Sequence, residues 1–142
     1  MAYCTQTDIE EQTSQAELIE LTDDAGAGAV DATAVARAVA DADAEIDSYC
    51  GSRYTLPFSP VPVMIRKLSV DIAVYNLFSR RAILKISDER QKRYDNAVRF
   101  LRDVARGLIS LGADAPTPVN TSDTASIAGN DRLFTREKMS GF

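Results

Sequence analysis

The chain has 142 residues, a length that fits one domain with a single hydrophobic core. It contains no histidine, so the commonest general base and the commonest transition-metal ligand are both missing. No apolar run reaches the roughly 18 residues of a membrane-spanning helix, and the first twelve residues lack the features of a secretory signal. We therefore expect no membrane segment and no secretion. Cys4 and Cys50 match no zinc-binding spacing, and we expect both to be free thiols.

Charge is distributed unevenly along a chain whose net charge is −5. Residues 1–50 contain twelve acids and one base, a balance of −11, whereas residues 66–106 contain eleven bases and five acids, a balance of +6. Three interpretations follow from such asymmetry. The two parts pair within one monomer, the acidic part of one subunit contacts the basic part of the next, or the basic part binds nucleic acid.

The N-terminal region predicts two short helices, at about 8–12 and 15–21. Thr7 followed by Glu10, and Ser14 followed by Glu17, each fit a capping box, in which the two side chains bond to each other's backbone amides. Residues 22–31 (TDDAGAGAVD) then contain one large apolar side chain. This stretch predicts a flexible loop, because it has too little apolar surface to order itself.

A long helix is predicted at about 32–50, with Asp31 as its N-cap. Asp43 and Asp47, one turn apart, suggest an acid/base pair or a magnesium site. Because no glycine-rich loop or apolar pocket lies nearby in the sequence, we expect a solvated charged face instead. Gly51 is expected to end the helix in the left-handed conformation. The predicted core face consists of Val35, Val39, Ala42, Ile46 and Tyr49.

Residues 52–61 (SRYTLPFSPV) are expected to be extended, because Pro57 and Pro60 lack amide donors and disfavour helix in the residue before them. Leu56 and Phe58 are predicted to lie in the core. This corner reverses the chain, so the helices on either side of it should pack antiparallel.

The stretch 62–81 predicts the central helix of the fold. Its apolar residues cover far more than the stripe of about 100° that a surface helix needs, which indicates burial on most sides. Lys67 and Asp71, one turn apart, are expected to pair on the polar edge.

A last helix is predicted at about 88–106, with Ser87 as its N-cap. Its apolar stripe consists of Tyr94, Ala97, Val98, Leu101, Val104, Ala105 and Leu108. Its basic face consists of Arg90, Lys92, Arg93, Arg99, Arg102 and Arg106. A nucleic-acid interface would need such a face, but aromatic residues are few among these bases, so we favour a solvated or subunit-pairing face.

Residues 113–142 differ in composition from the rest of the chain. Residues 113–131 are rich in Pro, Thr, Ser, Asn and Ala, which predicts a flexible linker. Apolar and basic residues then return in 132–142 (RLFTREKMSGF). This segment either folds back on its own core or acts as an arm that docks onto a neighbour.

Together these segments predict an all-α fold, a small bundle of four to five helices in residues 1–112 around the central buried helix 62–81. A flexible C-terminal arm, 113–142, follows it. No nucleophile–base pair, phosphate-binding loop or metal-ligand spacing is present in the sequence. We therefore predict no catalytic, cofactor-binding or metal-binding residue and no enzymatic activity.

The order and spacing of several residues resemble a family of small structural proteins of Mu-like phages and prophages. That family is similar to head–tail connector, or adaptor, proteins of long-tailed phages. The resemblance extends from about residue 3 to the end of the chain. The residues that carry it are Ala44, Glu45, Ile46, Asp47, Ser48, Tyr49, Arg53, Tyr54, Leu56, Pro57, Asp71, Ala73, Tyr75, Leu77, Arg80, Arg81, Arg93, Tyr94, Ala97, Leu101, Gly107, Leu111, Arg132, Phe134, Arg136, Met139 and Gly141.

The resemblance implies a virion subunit at the head–tail junction, assembled in the host cytoplasm. It would form a homo-oligomeric ring, often of about twelve copies, between the portal and the stopper or tail, with DNA as passing cargo and no cofactor or membrane. Whether the free protein is a monomer stays open. The predicted assembly interface consists of Arg53, Tyr54, Arg132, Leu133, Phe134, Arg136, Met139 and Phe142. The alternative function is a DNA-binding or packaging accessory protein that uses the basic face of helix 88–106.

Overall fold

The computed structural model describes residues 1–81 and 85–113 of the chain, and within these ranges every regular element is a helix. The all-α prediction is confirmed. The predicted C-terminal arm, apart from its first residue, lies outside the described residues. The helices are α1 (Gln6–Gln12), α2 (Gln15–Thr22), α3 (Ala32–Cys50), α4 (Val63–Arg80) and α5 (Asp88–Arg106).

Helix α4 lies at the centre of the bundle, as its sequence predicts. Ten of its residues are buried, from Ile65 near its start to Phe78 near its end. One cavity is lined by Ala34 from the start of α3 together with Arg80 from the end of α4, so these two helices are antiparallel, as predicted.

Helix α5 packs against both α3 and α4 through the side chain of Tyr94. Its ring stacks on that of Tyr75 in α4 with the centroids 4.0 Å apart, and its hydroxyl donates a 3.1 Å hydrogen bond to Glu45 in α3. Of the predicted stripe on α5, Ala97, Leu101 and Val104 are buried.

Three of the predicted helix starts are confirmed. The side chains of Ser14, Asp31 and Ser87 each accept a hydrogen bond from a backbone amide in the first turn of the helix that follows. Helix α1 begins earlier than predicted because Thr5, rather than Thr7, is its N-cap. Asp8 completes this capping box, since its carboxylate accepts from the Thr5 amide at 2.7 Å.

Three further expectations are wrong. Gly51 has a φ of −62°, so α3 ends without a left-handed residue, whereas Gly107 at the end of α5 has a φ of +81°. Leu108 is 73% exposed instead of extending the core stripe. Asp71 is buried, at 8% exposure, because it lies beside Gln12 of α1 and Arg93 of α5, whereas Arg66 and Lys67 of the predicted polar edge are exposed. Within the described residues, no ion pair joins it to Lys67.

The loop 23–31 is held in place by its own acids, which the sequence did not predict. Asp23 accepts hydrogen bonds from the amides of Ala27 and Gly28, at 2.8 and 2.7 Å. Asp24 contacts both Arg80 and Arg81 at the end of α4. The loop therefore obtains its order from polar contacts, which compensate for its lack of large apolar side chains.

No helix of the described part of the chain combines the length and the apolar character that crossing a membrane requires.

Candidate assembly surface

One end of the bundle is formed by residues 52–64 and 107–113, which we call the loop end. It contains a groove of about 620 Å³. No charged side chain lines this groove. Its walls are Thr55, Pro57, Phe58, Ser59, Pro60, Val61, Pro62, Val63, Leu111, Gly112 and Ala113.

Large apolar side chains are exposed at the loop end. Val63 is 83% exposed, Leu108 73% and Met64 41%, and Met1 is the one other large apolar residue with comparable exposure in residues 1–81 and 85–113. An apolar patch that adjoins a groove is typical of a surface that binds another protein. Sequence periodicity did not find this patch, because Val63 and Leu108 fit the apolar patterns of their helices.

The loop end also contains two residues of the predicted interface. Tyr54 is 4% exposed in the single chain, and its assignment to the assembly interface stays a prediction. Its ring lies 5.7 Å from that of Phe58, and its hydroxyl accepts a 3.0 Å hydrogen bond from the amide of Leu111. Tyr54 thus supports the groove from inside. Arg53 is half-buried, with its guanidinium against Gly107, where a Cβ would overlap Nη1.

The remaining residues of the predicted interface lie outside the described residues. They are Arg132, Leu133, Phe134, Arg136, Met139 and Phe142. Their assignment stays a prediction. The last described residue, Ala113, lines the groove, so the chain continues toward them from the loop end itself.

The basic face of α5 divides into two groups. Arg90 pairs with Glu17 in α2 at 2.7 Å and lies over the ring of Phe78 at 4.4 Å, while Arg93 pairs with Glu89 at 2.9 Å. Arg90 therefore connects α5 to α2 and α4, whereas the ion pair of Arg93 lies within α5. The others are exposed, and no acid of residues 1–81 or 85–113 forms an ion pair with them. They are Lys92, Arg99, Arg102 and Arg106.

Asp24 contributes most to pairing between the acidic and basic parts of the chain. Hydrogen bonds from the guanidinium groups of Arg80 and Arg81 lower the pKa of Asp24 to about 2. Together with the Glu17–Arg90 pair, these contacts show that some acids of the N-terminal part pair with bases of the later part within the same chain.

Asp43 and Asp47 do not form the solvated face that was predicted. The amide of Tyr3 donates to Asp43 at 3.1 Å and its hydroxyl donates to Asp47. The hydroxyl of Ser69 in α4 also donates to Asp43, at 2.9 Å, and burial raises the pKa of Asp43. Both carboxylates therefore hold the N-terminal segment on α3. Across the described ranges, no three His, Cys, Asp or Glu side chains are grouped closely enough to hold a metal ion.

A family model described as "Bacteriophage Mu, Gp36" matches residues 3–128, which is most of the chain. The chain belongs to the Bacteriophage Mu Gp36 family. It is 35% identical over 117 residues to the Mu-like prophage FluMu protein gp36 of Haemophilus influenzae, covering 82% of this chain and 80% of that protein. It is also 28% identical over 117 residues to Gene product J of Escherichia phage Mu, covering 81% of this chain and 79% of that protein.

The Gp36 family match includes the N-terminal segment, all five helices and the loop end. It ends at residue 128, before the basic and apolar segment that begins at Arg132. The described structure is thus a structure of a Gp36 domain, and the predicted docking segment lies beyond the part that the family model matches.

Proposed function

We propose that the chain is a structural subunit of the phage neck, a head–tail connector that associates into a ring between the portal and the stopper or tail. Its place is the head–tail junction of the virion, after assembly in the host cytoplasm, and its role is structural, without catalysis. DNA passes through the ring as cargo. Membership in a family of phage proteins supports this role. The resemblance of the sequence to connector proteins also supports it.

The observation that carries the proposal is the loop end. In the described residues, four large apolar side chains are exposed, and three of them, Val63, Met64 and Leu108, lie at the loop end. A chain that works alone gains nothing from exposing these three side chains at one end of the bundle. Burial of these side chains against another protein contributes about 25 cal/mol per Å² of apolar surface removed from water. The loop end is therefore the surface that we assign to the adjoining neck protein or subunit.

Ring closure needs two different surfaces on each copy, because a head-to-tail contact closes by rotation. The exposed bases Arg99, Arg102 and Arg106 on α5 provide one candidate, and acids such as Glu11 and Glu20 on α1 and α2 provide a complementary charge. Exposed acids also suit a DNA conduit, since they repel phosphate and let the duplex slide.

The test is to disable the gene for this chain in its phage and to examine the particles by electron microscopy. We expect DNA-filled heads and separate tails, and we expect normal virions again when the full chain is supplied from a plasmid. Normal virions without the chain would overturn the proposal. A complementing chain with Val63→Glu is expected to reduce joining, whereas Ala16→Glu, at an exposed site of α2 far from the loop end, serves as the matched control.

A second candidate function is DNA binding, favoured by the four exposed bases of α5, Lys92, Arg99, Arg102 and Arg106. Four phosphate contacts would give a slope of log K against log salt of about −3.6 for duplex DNA. Binding with such a slope, abolished by Arg99→Ala together with Arg102→Ala, would support a packaging accessory. Salt-insensitive or undetectable binding would leave the connector role as the better proposal.

A further inference from the structure

We infer that the groove at the loop end binds the C-terminal segment 132–142 of a second copy of the chain. This inference rests on the proposed function and specifies one contact within the ring. The groove has no charged residue in its lining, about half of its surface is apolar, and it lies open between the wall 55–63 and the wall 111–113. Such a groove suits an extended segment with large apolar side chains.

The chain itself contains such a segment. Residues 132–142 include the apolar Leu133, Phe134, Met139 and Phe142, and they also contain the bases Arg132, Arg136 and Lys138. The apolar side chains match the uncharged lining of the groove. The three bases would stay in water at its rim, so binding incurs no desolvation penalty for their charges. Buried aromatic side chains such as Phe134 contribute most of the energy in contacts of this kind.

The position of the chain exit favours a second copy as the source of the segment. Leu111, Gly112 and Ala113 form one wall of the groove, so the chain leaves from the site itself and would have to reverse to enter it. Residues 114–131, eighteen in number, span at most about 60 Å when extended. A 19-residue helix such as α3 is about 28 Å long, so this span is about twice the length of the longest helices of the bundle. A linker of that span can reach the same groove on an adjacent subunit.

If the segment is exchanged in this way, each copy inserts its own segment 132–142 into the groove of one neighbour and binds the segment of another neighbour in its own groove. A head-to-tail contact of this kind uses two different surfaces and closes into a ring when the rotation between copies allows it. A segment that becomes ordered on binding contributes less affinity for the area that it buries, which keeps the contact weak until copies are held together at the portal.

The experiment uses the full chain with a benzophenone-bearing phenylalanine at position 134. Isotopically light and heavy chains are mixed, irradiated over a concentration series, and analysed by mass spectrometry. We expect dimers in which position 134 is joined to residues 55–63 or 111–113, including light–heavy pairs. Cross-links confined to single chains, cross-links to another surface, or none at concentrations where the chain self-associates would each overturn the inference.

Two substitutions sharpen this test. Val63→Glu places a charge in the groove at a side chain that is 83% exposed, in the first turn of α4, where an acid does not harm the helix. We expect it to lower the dimer yield at least about tenfold, because the apolar side chains would face an unpaired charge. Ala16→Glu adds the same charge in the first turn of α2 and should leave the yield unchanged.

The outcomes separate this inference from the proposed function. If disabling the gene leaves heads without tails while position 134 cross-links elsewhere, the connector role stands and the groove assignment fails. If virions are normal without the chain, the connector role fails, and cross-linking in the groove would then describe self-association with another purpose.

Discussion

The hydroxyl of Tyr3 donates a 2.5 Å hydrogen bond to Oδ1 of Asp47, 44 residues further along the chain. The ring of Tyr3 lies 5.7 Å from that of Phe58, which in turn lies 5.7 Å from that of Tyr54. This row of three aromatic side chains connects the N-terminal segment to the loop end. The N-terminal segment is thus part of the core that supports the candidate assembly surface.

Tyr3→Phe keeps the aromatic ring but removes the hydroxyl, which donates to Asp47 and accepts a weaker 3.4 Å hydrogen bond from the amide of Phe58. Hydrogen bonds to charged groups contribute about 1.5–3 kcal/mol, so we expect the free energy of unfolding to fall by about 2 kcal/mol in urea titrations at neutral pH. Tyr49→Phe is the matched control, because the Tyr49 hydroxyl is half-buried on α3 and has no hydrogen-bond partner in the described part of the chain. Equal effects of the two substitutions would show that Asp47 does not hold Tyr3.

Gly107→Ala tests the contact between Arg53 and the end of α5. Gly107 has a φ of +81°, and an added Cβ would overlap the Arg53 guanidinium. Gly112→Ala is the control, because its φ of +68° imposes a similar backbone cost of about 1 kcal/mol while nothing lies within 4 Å of the added Cβ. We expect Gly107→Ala to lower the free energy of unfolding only slightly more than Gly112→Ala, because the Arg53 guanidinium is the end of a flexible side chain and can move aside. Adding Arg53→Ala should remove that difference. Equal losses in the two alanine variants would contradict this.

Asp71→Asn tests the buried carboxyl group of α4. Burial raises the pKa of Asp71 above its usual value, and its Oδ1 has no hydrogen-bond partner among the described residues. The pKa of the Asp71 carboxyl group is higher in the folded state than in the unfolded state. Its protonated form therefore favours the fold at low pH, and this contribution is lost as pH rises through the folded-state pKa. We therefore expect the free energy of unfolding of the Asp71→Asn variant, relative to that of the unchanged chain, to be higher at pH 7 than at pH 4.

The measurement for this prediction is the free energy of unfolding at both pH values. Asp41→Asn, at an exposed site of α3, is the control and should show little of this pH dependence. If Asp71→Asn lost stability equally at pH 7 and pH 4, the carboxylate would have to be compensated by a partner.

The two thiols should be unreactive in the folded chain. Cys4 is 2% exposed and Cys50 is fully buried, and burial raises the pKa of each to about 11. Since the thiolate is the reactive form, a disulfide reagent at pH 8 should modify neither thiol in buffer and both in denaturant. Ala16→Cys adds an exposed thiol as the positive control. Rapid modification of one native thiol in buffer would show that the segment around that cysteine opens.

Local signals predicted the helices well, because caps and periodicity depend on neighbours in the sequence. Ser14, Asp31 and Ser87 were found in this way. Thr5 was missed as the cap of α1, since a capping box was sought with Glu or Gln and the shorter Asp8 fills that role.

Contacts between distant residues could not be predicted in the same way. Asp43 and Asp47 have the spacing of a solvated helix face, and nothing near them in the sequence points to Tyr3. Asp24 likewise meets Arg80 56 residues later. The apolar patch of the loop end was missed for the opposite reason, because Val63 fits an apolar pattern and its exposure depends on where α4 begins.

The hydrogen bond from the Leu111 amide to the Tyr54 hydroxyl has a mechanical consequence. Tyr54 lies in the core, so a pull on the chain beyond Ala113 acts on the centre of the bundle before it can unwind α5 from Gly107. If the chain occupies the proposed position between head and tail, tension between them would load the packed interior, where resistance to local opening is greatest.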